Sequence, residues 1–380
     1  MNLTDEGMAK EIDNDFEGSG RLREIKKQRN RKMKNTLAIA GCAVLFLLLM
    51  IGSVVLYLWL DDSMKEAKET TGGNVEVVAE DEIVFTQTEL DEYVAKAIAD
   101  AEEKGAQKVL DSLEEGVNSG ETLVEVLRTL YADKMVVASN GKYHFVPINE
   151  SLKQNNLAAE GLMLKSDGTV EYVENGQVIS YKGIDVSKHQ GEIDWAKVAA
   201  DGVKFAFIRV GNRGYGSGAI VEDAQFEANI KGAISNGIQV GVYFFSQAIN
   251  EQEAMEEAKF VLDKIAPYKV QCPIVIDVEK VADSEARMNK ISSEQRTANT
   301  LVFLQTVEDA GYEAMLYHNM EMGLLMLDLA QFEEYNKWFA YYNKEIYYPY
   351  AFDVWQYSDK GRVNGINGDV DLNISFKLWD

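Results

Sequence analysis

Residues 273–279 read Pro-Ile-Val-Ile-Asp-Val-Glu, an apolar run that ends in two carboxylates, Asp277 and Glu279, one residue apart. Strands this continuously apolar are buried on both faces, as in a parallel sheet. Alternation along a strand turns both carboxylates to one face, with Cα atoms about 7 Å apart. Runs of the same kind stand on either side. Upstream are GIDVS (from Gly183), KFAFIRVG (from Lys204) and QVGVYFFS (from Gln239). Downstream are AMLYHN (from Ala314), KWFAYY (from Lys337), DVWQY (from Asp353) and DVDLN (from Asp369). Longer segments separate them, and those from Glu251 to Ile265 and from Ser293 to Ala310 have a helical pattern. Eight such strands predict an α/β fold over residues 181–380, an irregular (β/α)8 TIM-like barrel.

Polar residues collect where such barrels build their sites. Asp185, Arg209, Asp277, Glu279, Asn319, Gln356 and Asp371 fall at or near the C-terminal ends of their strands, the end that carries the active site. Four carboxylates drawn from three strands suit glycosidic cleavage. One carboxyl donates a proton to the leaving oxygen while another stays charged beside the developing oxocarbenium ion. Crowding of negative groups keeps one of them protonated near neutral pH. Asp185 and Asp371 come from the first and last strands, which meet where the barrel closes. Aromatic residues are dense at the same ends: Tyr243, Tyr317, Trp338, Tyr341, Tyr342, Trp355 and Tyr357. Flat apolar rings suit a saccharide groove, although each could equally be core.

Other chemistries lack their residues. His144, His189 and His318 are scattered, and no His/Cys group has metal-ligand spacing. Cys272 begins its strand, at the wrong face for catalysis, and no GxSxG or phosphate-binding loop occurs. No metal or organic cofactor is expected. A net charge of −24 excludes nucleic acid as the main partner, since phosphate binding needs a cationic surface. With 46% hydrophobic and 26% charged residues the chain can bury a sizeable core. Its two cysteines, Cys42 and Cys272, are too few for a disulfide framework.

The N-terminus is organised differently. Residues 36–60, TLAIAGCAVLFLLLMIGSVVLYLWL, contain no charge and as a helix would span roughly 37 Å, enough to cross a bilayer. Residues 1–35 form a tail whose stretch Arg21–Lys34 carries eight basic residues and one acid, whereas Asp61 and Asp62 follow the apolar run. That asymmetry predicts a single-pass cell-membrane protein with a cytoplasmic N-terminus and everything after Leu60 outside. The rival reading, a cleaved signal peptide, wants a shorter apolar core and a small-residue cleavage site, which LYLWLDDSM does not offer. Residues 61–86 read as a linker. Residues 87–180 read as an extracytoplasmic accessory region with a helical pattern from Thr88, broken at Asn118-Ser119-Gly120, then short strands with an Asn175-Gly176 hairpin turn. It is expected to act as a stalk, or as a module that binds the wall or another membrane protein.

From about Tyr181 to Asp380 the chain resembles the family 25 glycoside hydrolases, the lysozymes that act as N-acetylmuramidases. The resemblance rests on GIDVSKHQGEIDW (Gly183–Trp195), FAFIRVG (Phe205–Gly211), GVYFFS (Gly241–Ser246), PIVIDVE (Pro273–Glu279) and VWQYSDKGRVNGINGDVDLN (Val354–Asn373). It implies cleavage of the β-1,4 bond between N-acetylmuramic acid and N-acetylglucosamine in peptidoglycan glycan strands. Glu279 matches the general acid. Asp277 matches the carboxylate that assists attack by the substrate's own 2-acetamido group, with net retention. Asp185 and Asp371 match acidic cleft residues, and Tyr243 a cleft tyrosine. Arg209, Tyr317, Trp338, Trp355 and Gln356 are further candidates for holding substrate. Two alternatives are a catalytically silent glycan-binding scaffold at the membrane–wall interface and a wall amidase or peptidase, which would need a metal or nucleophile.

Overall fold

The computed structural model describes residues 87–343 and 346–379. The expected cytoplasmic tail, apolar segment 36–60 and linker lie outside them. Among the described residues no helix is long and apolar enough to cross a membrane. The chain divides into two compact units, residues 1–111 and 112–380.

Helix α1 (Gln87–Ser119) ends where the Asn-Ser-Gly break predicts, with Gly120 at φ 82°. Helix α2 (Leu123–Leu130) opens on a capping box in which the Thr122 amide donates to Glu125 Oε2 at 2.6 Å. Strands β1 (Lys134–Ser139) and β2 (Lys142–Pro147) form an antiparallel hairpin about Asn140-Gly141, both at positive φ. A three-stranded sheet follows: β3 (Leu162–Leu164), β4 (Val170–Glu174) and β5 (Gln177–Val178). Its β4–β5 turn is the expected Asn175-Gly176.

The barrel consists of β6 (Tyr181–Val186), β7 (Phe205–Arg213), β9 (Gln239–Phe245), β10 (Ile274–Asp277), β11 (Ala314–Asn319), β12 (Asn336–Ala340), β13 (Val354–Gly361) and β14 (Val370–Ser375). Short β8 (Ile220–Glu222) hangs on the outer end of β7. Each of the eight expected strands is present, and the β6–β7 and β6–β14 pairings close the sheet. Helices α3 (Trp195–Ala200), α4 (Phe226–Ser235), α5 (Glu251–Ile265) and α6 (Ser293–Asp309) cover the outside. Asp194, Asn250 and Ser292 cap α3, α5 and α6 by accepting from backbone amides.

The barrel departs from the eightfold parallel pattern in one place. β14 is antiparallel to both neighbours, β13 and β6. The link from β13 to β14 is too short for the crossover a parallel return requires, so the chain turns back as a hairpin. This reverses the meaning of position within the last strand: Asp371 reaches the catalytic rim from the N-terminal end of β14.

Inside the barrel Phe205, Phe207, Val275, Met315, Trp338, Val354 and Trp379 form the floor, with Phe207 stacked on Trp338 at 4.6 Å. Gly183 and Gly241 make room for it, because a Cβ at either would come within 2.5 Å of the Phe205 or Phe207 ring. The larger core lies between the strands and the helices. It includes Met135, Val137, Leu152, Val170 and Tyr172, so residues 112–180 share the barrel's core rather than standing apart as a stalk. The backbone at Lys153 and Asn155 hydrogen-bonds that of Ala351 and Pro349, and Tyr172 meets Phe376 edge to face. The accessory chain therefore straps the barrel.

Candidate active site

The rim is assembled by register. Asp371 on β14 is directly opposite Asp185 on β6, Arg209 is level with Tyr243, Asp277 with Tyr317, Ala340 with Gln356, and Gln356 with Asn373. β10 ends at Asp277, but the alternation carries on. Val278 packs outward into the helical core, which leaves Asp277 and Glu279 inside. Opposed carboxylates on neighbouring strands destabilise a sheet. Here burial adds to the cost and keeps protons on the cluster.

Asp185 is buried; Gln356 Nε2 and Asn373 Nδ2 each donate to its Oδ2 at 2.8 Å. Burial, then the Asp371 charge, nevertheless hold its carboxyl well above the usual carboxylate range. Asp277 is 7% exposed and is pushed the same way by burial, then by Glu279 and Asp185, against the Arg209 guanidinium. Its Oδ1 is buried without a hydrogen-bond partner. Glu279 is half-buried, and burial raises its carboxyl too, opposed by the Tyr317 hydroxyl. Asp371 is pushed up to about 6 by burial, then by Asp359. Four acids facing one guanidinium share protons rather than ionise together.

The supporting network is continuous. The Tyr317 and Tyr342 hydroxyls both lie 2.8 Å from Gln356 Oε1, and Trp338 Nε1 donates to Asn373 Oδ1 at 2.8 Å. Arg209 is fixed by Asp223, 2.7 Å from both Nε and Nη2. Tyr243 stands edge-on to Trp338.

The structure thus brings together Asp185, Arg209, Tyr243, Asp277, Glu279, Tyr317, Gln356 and Asp371. It sorts the tryptophans differently. Trp338, 1% exposed, lies in the floor beneath the Tyr243 and Tyr317 rings, and its one hydrogen bond toward the site runs to Asn373. Trp355 does not face the cleft. It is 0% exposed in the outer core, with Nε1 donating to the Tyr341 carbonyl at 2.9 Å. Gln356 takes the inward position, so its neighbour on β13 must point outward. Tyr342, one of the aromatic residues read at the strand ends, joins the site through Gln356. Two contributors were not expected. Asn373 stands in the quoted VDLN motif. Asp223 carries no local signal at all, because it lies in a loop and its partner Arg209 is on β7, 14 residues away.

Among the described residues no group of three or more His, Cys, Asp or Glu could hold a metal ion. Buried Cys272 packs into the floor, far down its strand from the rim.

Residues 184–366 match the glycosyl hydrolases family 25. The protein YegX of Escherichia coli strain K12 is 30% identical over 207 residues, which cover 50% of this chain and 68% of that one. The chain belongs to glycosyl hydrolase family 25. This glycoside hydrolase is also similar to the autolytic lysozyme of Clostridium acetobutylicum, at 25% identity over 193 residues, 50% of this chain and 55% of that protein. Among solved structures, a family 25 glycosyl hydrolase from Bacillus anthracis aligns with 56% of this chain and 96% of its own, at 25% identity and a TM-score of 0.46.

Proposed function

We propose that this glycoside hydrolase is an N-acetylmuramidase that cuts β-1,4 bonds between N-acetylmuramic acid and N-acetylglucosamine in peptidoglycan, with retention at the anomeric carbon. The observation that carries the reading is the buried, unpartnered Asp277 Oδ1 two residues from the half-buried acid Glu279. A 2-acetamido N–H is the donor that oxygen lacks. Donating to it favours charged Asp277 and leaves the shared proton on Glu279. Glu279 then protonates the glycosidic oxygen as that bond breaks. The acetamido carbonyl oxygen closes onto the anomeric carbon, and Asp277 balances the positive charge on its nitrogen. Water then opens the ring, with Glu279 taking back the proton. Asp185, held by Gln356 and Asn373, and Asp371 line the cleft with Tyr243, and Arg209 tempers the local negative field.

The proposal extends to the whole chain. Residues 181–380 form the catalytic domain, 87–180 an accessory region, 61–86 a linker, 36–60 a membrane anchor and 1–35 a cytoplasmic basic tail. An enzyme held at the outer membrane face in this way serves local wall remodelling. The test is to incubate the purified full-length chain, beside Glu279→Gln, with purified peptidoglycan and to read the products by mass spectrometry. New reducing ends on N-acetylmuramic acid, lost in the variant, are expected. Intact strands from folded wild-type protein would leave the alternative, a silent glycan-binding scaffold.

A further inference from the structure

The β1–β2 hairpin is bound to the loops that frame the active site. Its turn residue Asn140 accepts from Lys280 Nζ at 2.7 Å, and Lys280 directly follows Glu279. Lys280 also pairs with Glu321, 2.8 Å away, just beyond β11, and Ser139 donates to that same glutamate. One turn earlier in the fold, Arg128 of α2 donates to the Tyr341 hydroxyl at 3.0 Å and lies over the Tyr347 ring at 4.5 Å. The accessory chain is thereby fixed across the ends of β10, β11 and β12, on the Glu279 side of the cleft.

The two faces of this hairpin differ. Met135 and Val137 enter the core. On the other face Tyr143, paired with Ala138, is 43% exposed, and Phe145, paired with Val136, is 40% exposed. Tyr131 adds a third ring, 4.8 Å from Phe145, with Lys134 over it. Tyr143, level with Ala138, stands about 7 Å along the hairpin from Asn140, which Lys280 holds, and Phe145 about 7 Å further. Local charge also departs from the rest of the molecule. Residues 128–147 carry Arg128, Lys134 and Lys142 against Asp133 alone, in a chain of net charge −24.

We propose that Tyr131, Tyr143 and Phe145 form a second glycan-binding surface, continuous with the cleft, which holds the peptidoglycan strand where it leaves the site beside Glu279. The proposal rests on the muramidase reading for its substrate. The exposed Tyr143 and Phe145 rings stack sugar faces, half-buried Tyr131 supports Phe145, and the adjacent cations suit the carboxylates of lactyl groups and stem peptides. A surface outside the cleft affects only substrates long enough to reach it. Polymer is therefore held while short glycans are not.

The decisive variant is Tyr143→Ala/Phe145→Ala in the full-length chain, with unchanged circular dichroism as the check on folding. Built on Glu279→Gln, it is co-sedimented with purified sacculi; with Glu279 intact, its kcat/KM on sacculi is divided by that on a soluble tetrasaccharide of the same sugars. Weaker sacculus binding and a lower polymer-to-tetrasaccharide ratio, each by about tenfold, are expected. An unchanged ratio with unchanged binding overturns the proposal. So does an equal fall on both substrates, which would mean a merely structural hairpin. Tyr143→Leu/Phe145→Leu keeps apolar bulk without rings, and full binding by that variant would rule out stacking. Sedimentation velocity covers the remaining occupant: a change in self-association with unchanged sacculus binding would make this face a contact between copies, against the proposal. The tetrasaccharide arm on wild type reports separately on muramidase activity, so failure of that reading is distinguishable from failure of the surface.

Discussion

Within the barrel, two layers of the interior obey opposite rules. The lower layer, with Phe205, Phe207, Val275, Met315 and Trp338, is apolar, closely stacked and almost sealed from water. The upper layer, at the rim, holds Asp185, Asp277, Glu279 and Asp371, all with carboxyls raised by burial. The first layer stabilises by removing apolar surface from water. The second costs stability, since each buried acid keeps a proton that it would lose in the unfolded chain. The contrast teaches that the floor supports a rim which by itself works against folding. Asn373 joins the two layers, accepting from Trp338 below and donating to Asp185 above.

Four substitutions can break or sharpen that contrast. Glu279→Gln should lower kcat on peptidoglycan by about 10²–10⁴-fold with melting temperature unchanged or raised, the usual contribution of a general acid. A large loss of stability instead would place Glu279 among the structural residues. Phe207→Ala should do the reverse, destabilising by about 3–5 kcal/mol through the cavity left under Trp338, as measured by urea unfolding. A near-neutral result would show the floor to be less closely packed than its ring contacts indicate.

Asp277→Asn tests the cost of the rim. Because the folded-state pKa is raised, the native protein binds more protons than the unfolded chain above about pH 4, so wild-type stability falls as pH rises through that window. Asp371, pushed up to about 6, contributes between roughly pH 4 and 6. Asparagine at 277 removes that residue's share. Its melting temperature relative to wild type should therefore climb from pH 4 to 7 while activity is lost. A difference that stays flat with pH would mean that Asp277 ionises freely. The smallest effect belongs to Tyr317→Phe. The hydroxyl holds Glu279 lower than burial alone would, so its loss should move the alkaline limb of kcat/KM to higher pH. A limb that moves down, or not at all, would detach Tyr317 from the acid.

How far the site was legible depends on where each partner sits in the chain. Asp277 and Glu279 announce themselves because two acids at the end of an apolar strand have few structural uses. Asp185 and Asp371 follow the same logic on the strands that close the barrel. Trp355 was misjudged because strand-end position does not give the side of the sheet. Only the neighbouring Gln356, committed inward to Asp185, settles that. Asp223 was invisible for a different reason. Its work is to hold Arg209, from β7, and a single acid in a loop is the commonest of surface residues.

By itself the sequence determined the eight barrel strands, the two longer covering helices α5 and α6, and the acidic pair, because hydrophobic period and strand length are local properties that survive into the fold. The tertiary structure alone decided the antiparallel turn of β14, the burial that raises four carboxyls, and the docking of residues 112–180 onto the barrel. Each of these is a contact between segments distant in the chain. The side a residue faces, and the dielectric around it, exist only once those segments have met.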